Sequence, residues 1–223
     1  ANQKAILQDM LVVAKGDNNP VYAVIDLDGK PILEAKYNDI TYLPEIGDFK
    51  ITSNKKVGIL DKTGKTKVQP LYDSIELMSS DAGLYVAQKD KKYGVLDLTG
   101  NTKIYIENDE IGMDISSFDQ NNIKNKYILA GNLIPARKDK MWGLYDKNGK
   151  QVVDYTYDSF GYVTTSNKDA LSLLVIPDYN VLVACKNKKY TLLSSLGQEL
   201  FAAPVADDIY MTISGGQKHY YIT

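Results

Sequence analysis

The chain has one cysteine, one histidine and one tryptophan among its 223 residues, and each scarcity excludes something. A single thiol, Cys185, cannot close an internal disulfide, so stability has to come from packing. A single imidazole, His219, leaves any Ser-His-Asp or Cys-His arrangement only one base to use. That base sits in a strand-like stretch beside Tyr220 and Tyr221, a poor setting for a catalytic triad. No apolar run approaches the ~18 residues of a membrane helix; the most apolar stretch, Leu171 to Pro177, is seven residues long and contains Ser172. Charge of one sign is also missing. With 26 basic and 28 acidic residues mixed along the length, there is no footprint for nucleic acid or an anionic membrane. Gly215-Gly216 stands outside any phosphate-loop pattern, and no glycine-rich nucleotide fingerprint occurs, so no cofactor is expected.

What the chain does have is a repeat. Hydrophobic residues make up 44% and charged residues 24%, enough to bury a core, and their order recurs. Four segments align without gaps, beginning at Val21, Lys56, Lys92 and Met141, and a fifth, degenerate copy begins at Lys189. The shared frame is aromatic-small-apolar-apolar-Asp-x-x-Gly. Its closing glycines are Gly29, Gly64, Gly100, Gly149 and Gly197, spaced by 35 (64 − 29), 36 (100 − 64), 49 (149 − 100) and 48 (197 − 149). One unit therefore repeats five times and carries two insertions of about 13 residues (49 − 36 and 48 − 35), roughly Glu107 to Asn132 and Gly161 to Asn180.

Each frame reads as two strands joined by a tight turn. Asp at the first turn position can accept backbone N–H groups, and Gly suits the left-handed position that closes a type I turn with a bulge. Asp26-Leu27-Asp28-Gly29 is therefore a turn rather than a calcium loop; Lys62, Thr63 and Asn148 fill the equivalent positions elsewhere, and the distant Glu of a calcium loop is missing. The carboxylate pairs Asp109-Glu110 and Asp207-Asp208 read as solvated turns, and Cys185 as a small, partly buried thiol. A second motif follows each turn, as in Tyr37-Asn38-Asp39-Ile40, Tyr72-Asp73-Ser74-Ile75 and Tyr157-Asp158-Ser159-Phe160, and suggests a third short strand. Leu11 to Lys15, Phe49 to Thr52, Leu84 to Gln88, Leu133 to Arg137, Leu182 to Cys185 and His219 to Ile222 supply a fourth.

In these frames the chain resembles the bacterial WG, or KWG, β-repeat proteins, whose unit centres on a Trp-Gly pair followed by an apolar pair, Asp and Gly. Lys140-Met141-Trp142-Gly143-Leu144-Tyr145-Asp146-Lys147-Asn148-Gly149-Lys150 matches best. Tyr93-Gly94 and Val57-Gly58 fill the pair less faithfully, and Tyr22-Ala23 and Tyr190-Thr191 depart from it. The resemblance implies a non-catalytic binding or scaffolding array, exported or attached to the bacterial cell surface. The chain starts at Ala1 and reads as a trimmed fragment, with any signal or anchor expected upstream.

The expected fold is all-β: tandem repeats of short antiparallel strands, propeller-like, with an open stack of β-hairpin units as the rival. Residues 1–10 read as a lead-in and residues 11–223 as one repeat domain, its units starting near 11, 49, 84, 133 and 182. Most of the 17 tyrosines occupy repeat slots and are expected to pack. The exceptions lie in the insertions, where loops carry binding more often than scaffold does. Phe118, Tyr127, Tyr162 and Tyr179 are the candidate partner-binding residues, with a protein favoured as the partner, a glycan second, and no catalytic or metal-binding residues assigned.

Overall fold

Alternating apolar residues bounded by Asp, Asn and Gly form strands throughout the chain. A computed structural model describes residues 3–7, 9–118, 125–164, 170–202 and 205–223. It divides into two compact units, residues 1–102 and 103–223, where the sequence reads as one domain.

In the first unit, β1 (Gln3–Leu7), β2 (Met10–Lys15), β3 (Val21–Asp26) and β4 (Pro31–Tyr37) form an antiparallel sheet in chain order. Within the stretch read as a lead-in, Gln3–Leu7 form its first strand and Met10 opens the second. A second sheet repeats the plan with β5 (Asp39–Leu43), β6 (Asp48–Ser53), β7 (Lys56–Leu60) and β8 (Thr66–Tyr72). The third runs through β9 (Ser74–Ser79), β10 (Leu84–Lys89), β11 (Lys92–Asp97) and β12 (Thr102–Asn108), the strand in which the division between units falls. The second unit continues with β13 (Glu110–Ile111), β14 (Ile134–Lys138), β15 (Met141–Tyr145) and β16 (Gln151–Tyr157). Its next sheet contains β17 (Ser159–Phe160), β18 (Val175–Ile176), β19 (Val181–Lys186) and β20 (Lys189–Leu193), and a last hairpin pairs β21 (Ile209–Ser214) with β22 (Gln217–Ile222). The fold is all-β, and its four-stranded meanders have the plan of propeller blades.

The Asp-x-x-Gly turns form as their chemistry dictates. Asp97 Oδ1 accepts the N–H groups of Thr99 at 2.9 Å and Asn101 at 3.0 Å; Asp61 and Asp146 accept from the equivalent donors. Asp26 does the same toward Asp28 and Lys30. In the degenerate copy the shorter Ser194 hydroxyl takes over with longer bonds, 3.3 Å to Leu196 N and 3.2 Å to Gln198 N.

The motif read as a third strand is instead the step from one sheet to the next. Tyr37 pairs with Tyr22 in the first sheet, while Asp39 pairs with Thr52 in the second. Tyr157 and Ser159 divide in the same way between Trp142 and Cys185. The intervening side chain fixes the step by reaching the next two-residue hairpin turn: Asn38 accepts from Asn54 N, Asp73 from Asp90 N and Asp109 from Asp139 N. Those turns place both residues at positive φ, as at Asn54 (49°) and Lys55 (64°), the geometry of a type I′ hairpin.

Sheets dock through their turns. A Cβ on Gly149 would lie 2.2 Å from the Lys103 carbonyl oxygen, and one on Gly64 would lie 2.8 Å from Leu33 Cδ2. The closing glycine is therefore required twice, by its positive φ and by its approach to the preceding sheet. The core between the first two sheets gathers Val12, Val24, Leu33, Ile40, Phe49, Ile51 and Leu60.

The small residue after the aromatic has a separate role. In β15 and β16, Trp142 pairs with Tyr157 and Leu144 with Val153, so between these pairs one residue on the inner strand, Gly143, faces three on the outer one. The same irregular register recurs for Tyr22/Tyr37 with Val24/Leu33 and for Val57/Tyr72 with Ile59/Val68. This is a bulge, and it presses on the small residue: a Cβ on Gly143 would lie 2.8 Å from the Val153 carbonyl oxygen, and one on Gly58 would lie 2.7 Å from the Val68 carbonyl oxygen. Where Thr191 replaces the glycine, no regular outer strand pairs with β20 among the described residues. Instead Tyr190 bridges to Ala206 and the Leu192 carbonyl accepts from Leu200 N at 2.9 Å. Thr191 is fully buried and its hydroxyl has no hydrogen-bond partner.

Candidate partner-binding surface

The sequence reads the two insertions as loops. Both instead leave the middle of a first strand and return to it. After β13, Gly112 N bonds to the Pro135 carbonyl, and the chain re-enters at Leu129, which bridges Leu133. After β17, Gly161 N bonds to the Val183 carbonyl, and the chain re-enters at Leu174, whose carbonyl accepts from Val183 N, before β18. The described residues of these excursions are largely scaffold. The second one bridges Leu171 to Met211, tying its sheet to the last hairpin.

The aromatics of the two excursions divide accordingly. Phe118 is buried at 8% exposure in the cluster with Leu129, Leu144, Phe160, Leu174 and Leu182. Its ring lies over Gly161, where a Cβ would approach Phe118 Cζ to 2.4 Å. Phe118 is therefore a core residue and cannot meet a partner. Tyr127 is half-buried, its ring against Gly112 and 4.8 Å from the Lys126 ammonium. Tyr162 meets Tyr190 edge-on at 5.2 Å and donates to Asp208 Oδ1 at 2.7 Å. That hydrogen bond, with burial second, pushes its phenol up to about 12. Tyr162 thus packs against the Leu173, Ile176, Val183 and Met211 cluster.

Tyr179 is different. It ends a 3-10 turn, Pro177–Tyr179, that joins β18 to β19, and it is 74% exposed. Pro177 fixes the entry to the turn and Asn180 the exit, in the left-handed region at φ 50° and with its N–H bonded to the Pro177 carbonyl. An aromatic side chain is thereby held out on a short, braced tip beside exposed Asp178. At the base, Ile176 and Val181 belong to the cluster on which Tyr220 packs. The Tyr220 hydroxyl is buried without a hydrogen-bond partner, and burial, followed by the charge of Asp178, raises its phenol above the ordinary range. Sequence reading picked out Tyr179 but not Tyr220; Pro177-Asp178 was the available turn signal.

Burial first, and the Asp158 charge second, raise the Cys185 thiol above its ordinary range, the state of an unreactive thiol. His219 is exposed and pairs across β21 with Thr212.

Comparison with known proteins agrees with the frames. The family described as "WG containing repeat" matches residues 22–45, 58–93 and 142–167. Among solved structures, the chain is similar to one titled "KlHsv2 with loop 6CD replaced by a Gly-Ser linker", at 10% identity, over 94% of this chain and 71% of that one, with a TM-score of 0.35. No curated protein matches.

Proposed function

This chain is built of WG-type repeats, and on that premise we propose that it is a non-enzymatic binding or scaffolding domain that engages protein partners at the bacterial cell surface. The observation that carries this reading is the contrast at Tyr179. The repeated Asp, Gly and aromatic residues are consumed by turns, bulges and sheet docking, whereas Tyr179 is 74% exposed on a braced tip. A rigid aromatic offers contact area at low entropic cost, which is why such residues dominate binding hot spots. Export is carried by the family resemblance, and it is tested by protease digestion of intact cells that produce the protein.

The binding test compares the whole chain with Tyr179→Ala as bait in crosslinking capture, at matched melting temperature. The proposal expects recovery of one or more specific partners to fall at least tenfold with the variant, a hot-spot loss of about 2 kcal/mol. Equal recovery by both proteins would sink it. Asp178 beside Tyr179 also suits a glycan, through ring stacking and hydroxyl hydrogen bonds. Binding to a glycan array that vanishes with Tyr179→Ala would move the assignment to carbohydrate recognition.

A further inference from the structure

The tip that carries Tyr179 also carries a charge. Asp178 is exposed beside it, and among the described residues no basic side chain pairs with the Asp178 carboxylate. That charge acts instead on the buried Tyr220 hydroxyl, whose phenol is raised first by burial, then by Asp178 and by Tyr179. Both tip side chains therefore stand within electrostatic reach of one group. Elsewhere the chain shows what an aromatic ring and a carboxylate hold together. In the fourth sheet the Arg137 guanidinium lies 5.7 Å from the centre of the Trp142 ring, while its Nη2 pairs with Glu110 at 2.9 Å.

We propose that the Pro177–Tyr179 tip binds an arginine side chain of the partner protein, the guanidinium stacking on the Tyr179 ring and pairing with the Asp178 carboxylate. This presupposes that Tyr179 is a partner-binding residue, and it adds the chemistry of the group that Tyr179 meets. A guanidinium suits both side chains at once: it is planar, so it lies flat on a ring, and its N–H donors form a fork that matches a carboxylate. A lysine ammonium offers a compact point charge without the flat face or the fork. Pro177 and the left-handed Asn180 already hold the turn, so little backbone has to be ordered on binding.

The test titrates the whole ¹⁵N-labelled chain with N-acetyl-argininamide, and with N-acetyl-citrullinamide as its neutral isostere. Saturable amide shifts are expected at Asp178, Tyr179, Asn180 and Tyr220. Binding should be about tenfold weaker for the citrulline compound, and about tenfold weaker for the arginine compound in Asp178→Asn. That variant changes one exposed side chain, and its remaining amides should keep their positions. Shifts absent from the tip, equal for the two compounds, or undiminished in Asp178→Asn would overturn the assignment. Crosslinking capture separates it from the reading on which it rests. Loss of the partner with both Tyr179→Ala and Asp178→Asn is expected; loss with Tyr179→Ala alone keeps Tyr179 as a binding residue and sinks the arginine, and recovery with both variants sinks the two together.

Discussion

The fourth and fifth sheets share a frame, and where one has Gly143 the other has Thr191; their outer edges differ as well. Gly143 lets the β16 bulge settle at van der Waals distance over β15, with Tyr155 closing the gap. Thr191 occupies the same place with a branched side chain. Beyond it the chain meets β20 only at points such as Leu200 and Ala206 among the described residues, and a buried hydroxyl goes unpaired. The second letter of the Trp-Gly pair is therefore not decoration on an aromatic anchor. It is the vacancy into which the outer strand folds, and the aromatic beside it pairs with the tyrosine at the end of that strand.

That comparison can be broken at several points. The largest effect is expected from Phe118→Ala, which empties a core position against Gly161 and should cost about 3–5 kcal/mol by urea unfolding; a cost below about 1 kcal/mol would show that the first excursion is not scaffold. Gly143→Thr should follow at about 3 kcal/mol, because its Cβ meets a backbone carbonyl that cannot rotate away. Thr191→Val should move the other way, stabilising the chain by about 1 kcal/mol as the unpaired hydroxyl is replaced by a methyl group. A loss there would mean that the hydroxyl has a partner after all. Asp97→Ala should cost about 1 kcal/mol through its turn hydrogen bonds, and Ser194→Asp, which restores the consensus acceptor, should gain about 0.5 kcal/mol.

Asp97 also gives the turns a pH signature. Burial works against its charge, but the Thr99 hydroxyl, the Asn101 side chain and the two backbone N–H groups overcome that and bring its carboxyl down to about 2 from the ordinary 3.8. A carboxyl depressed in the folded state stabilises above its unfolded value and loses that contribution as the pH falls through the folded one. Unfolding midpoints should therefore show an acid-side slope between about pH 4 and pH 2 that is smaller in Asp97→Asn. An identical slope in the variant would remove Asp97 from the account.

How much of this was legible beforehand follows from the range of the interactions. The Asp-x-x-Gly turns were readable because a carboxylate two and four residues from its donors is local chemistry. The step at Asn38 and Asp73 was misread as a strand, since period-two alternation continues across it and only the pairing partners change. The hairpin turns at Asn54-Lys55 and Asp90-Lys91 gave little signal, because lysine at positive φ has no propensity behind it; an acceptor on the preceding linker supports each turn. Phe118 and Tyr179 were indistinguishable as insertion aromatics. What separates them is a distant glycine, Gly161, which makes room for one ring, and a local proline, Pro177, which holds out the other.

Amide hydrogen exchange on a reciprocal pair, Gly143→Thr and Thr191→Gly, tests the role of the small residue most directly. The account predicts that Gly143→Thr strips protection from the outer-strand amides of Gln151–Tyr157 while those of Ile134–Lys138 keep theirs, and that Thr191→Gly raises protection in the segment after Leu200. Unchanged protection of Gln151–Tyr157 in a folded Gly143→Thr protein would contradict it.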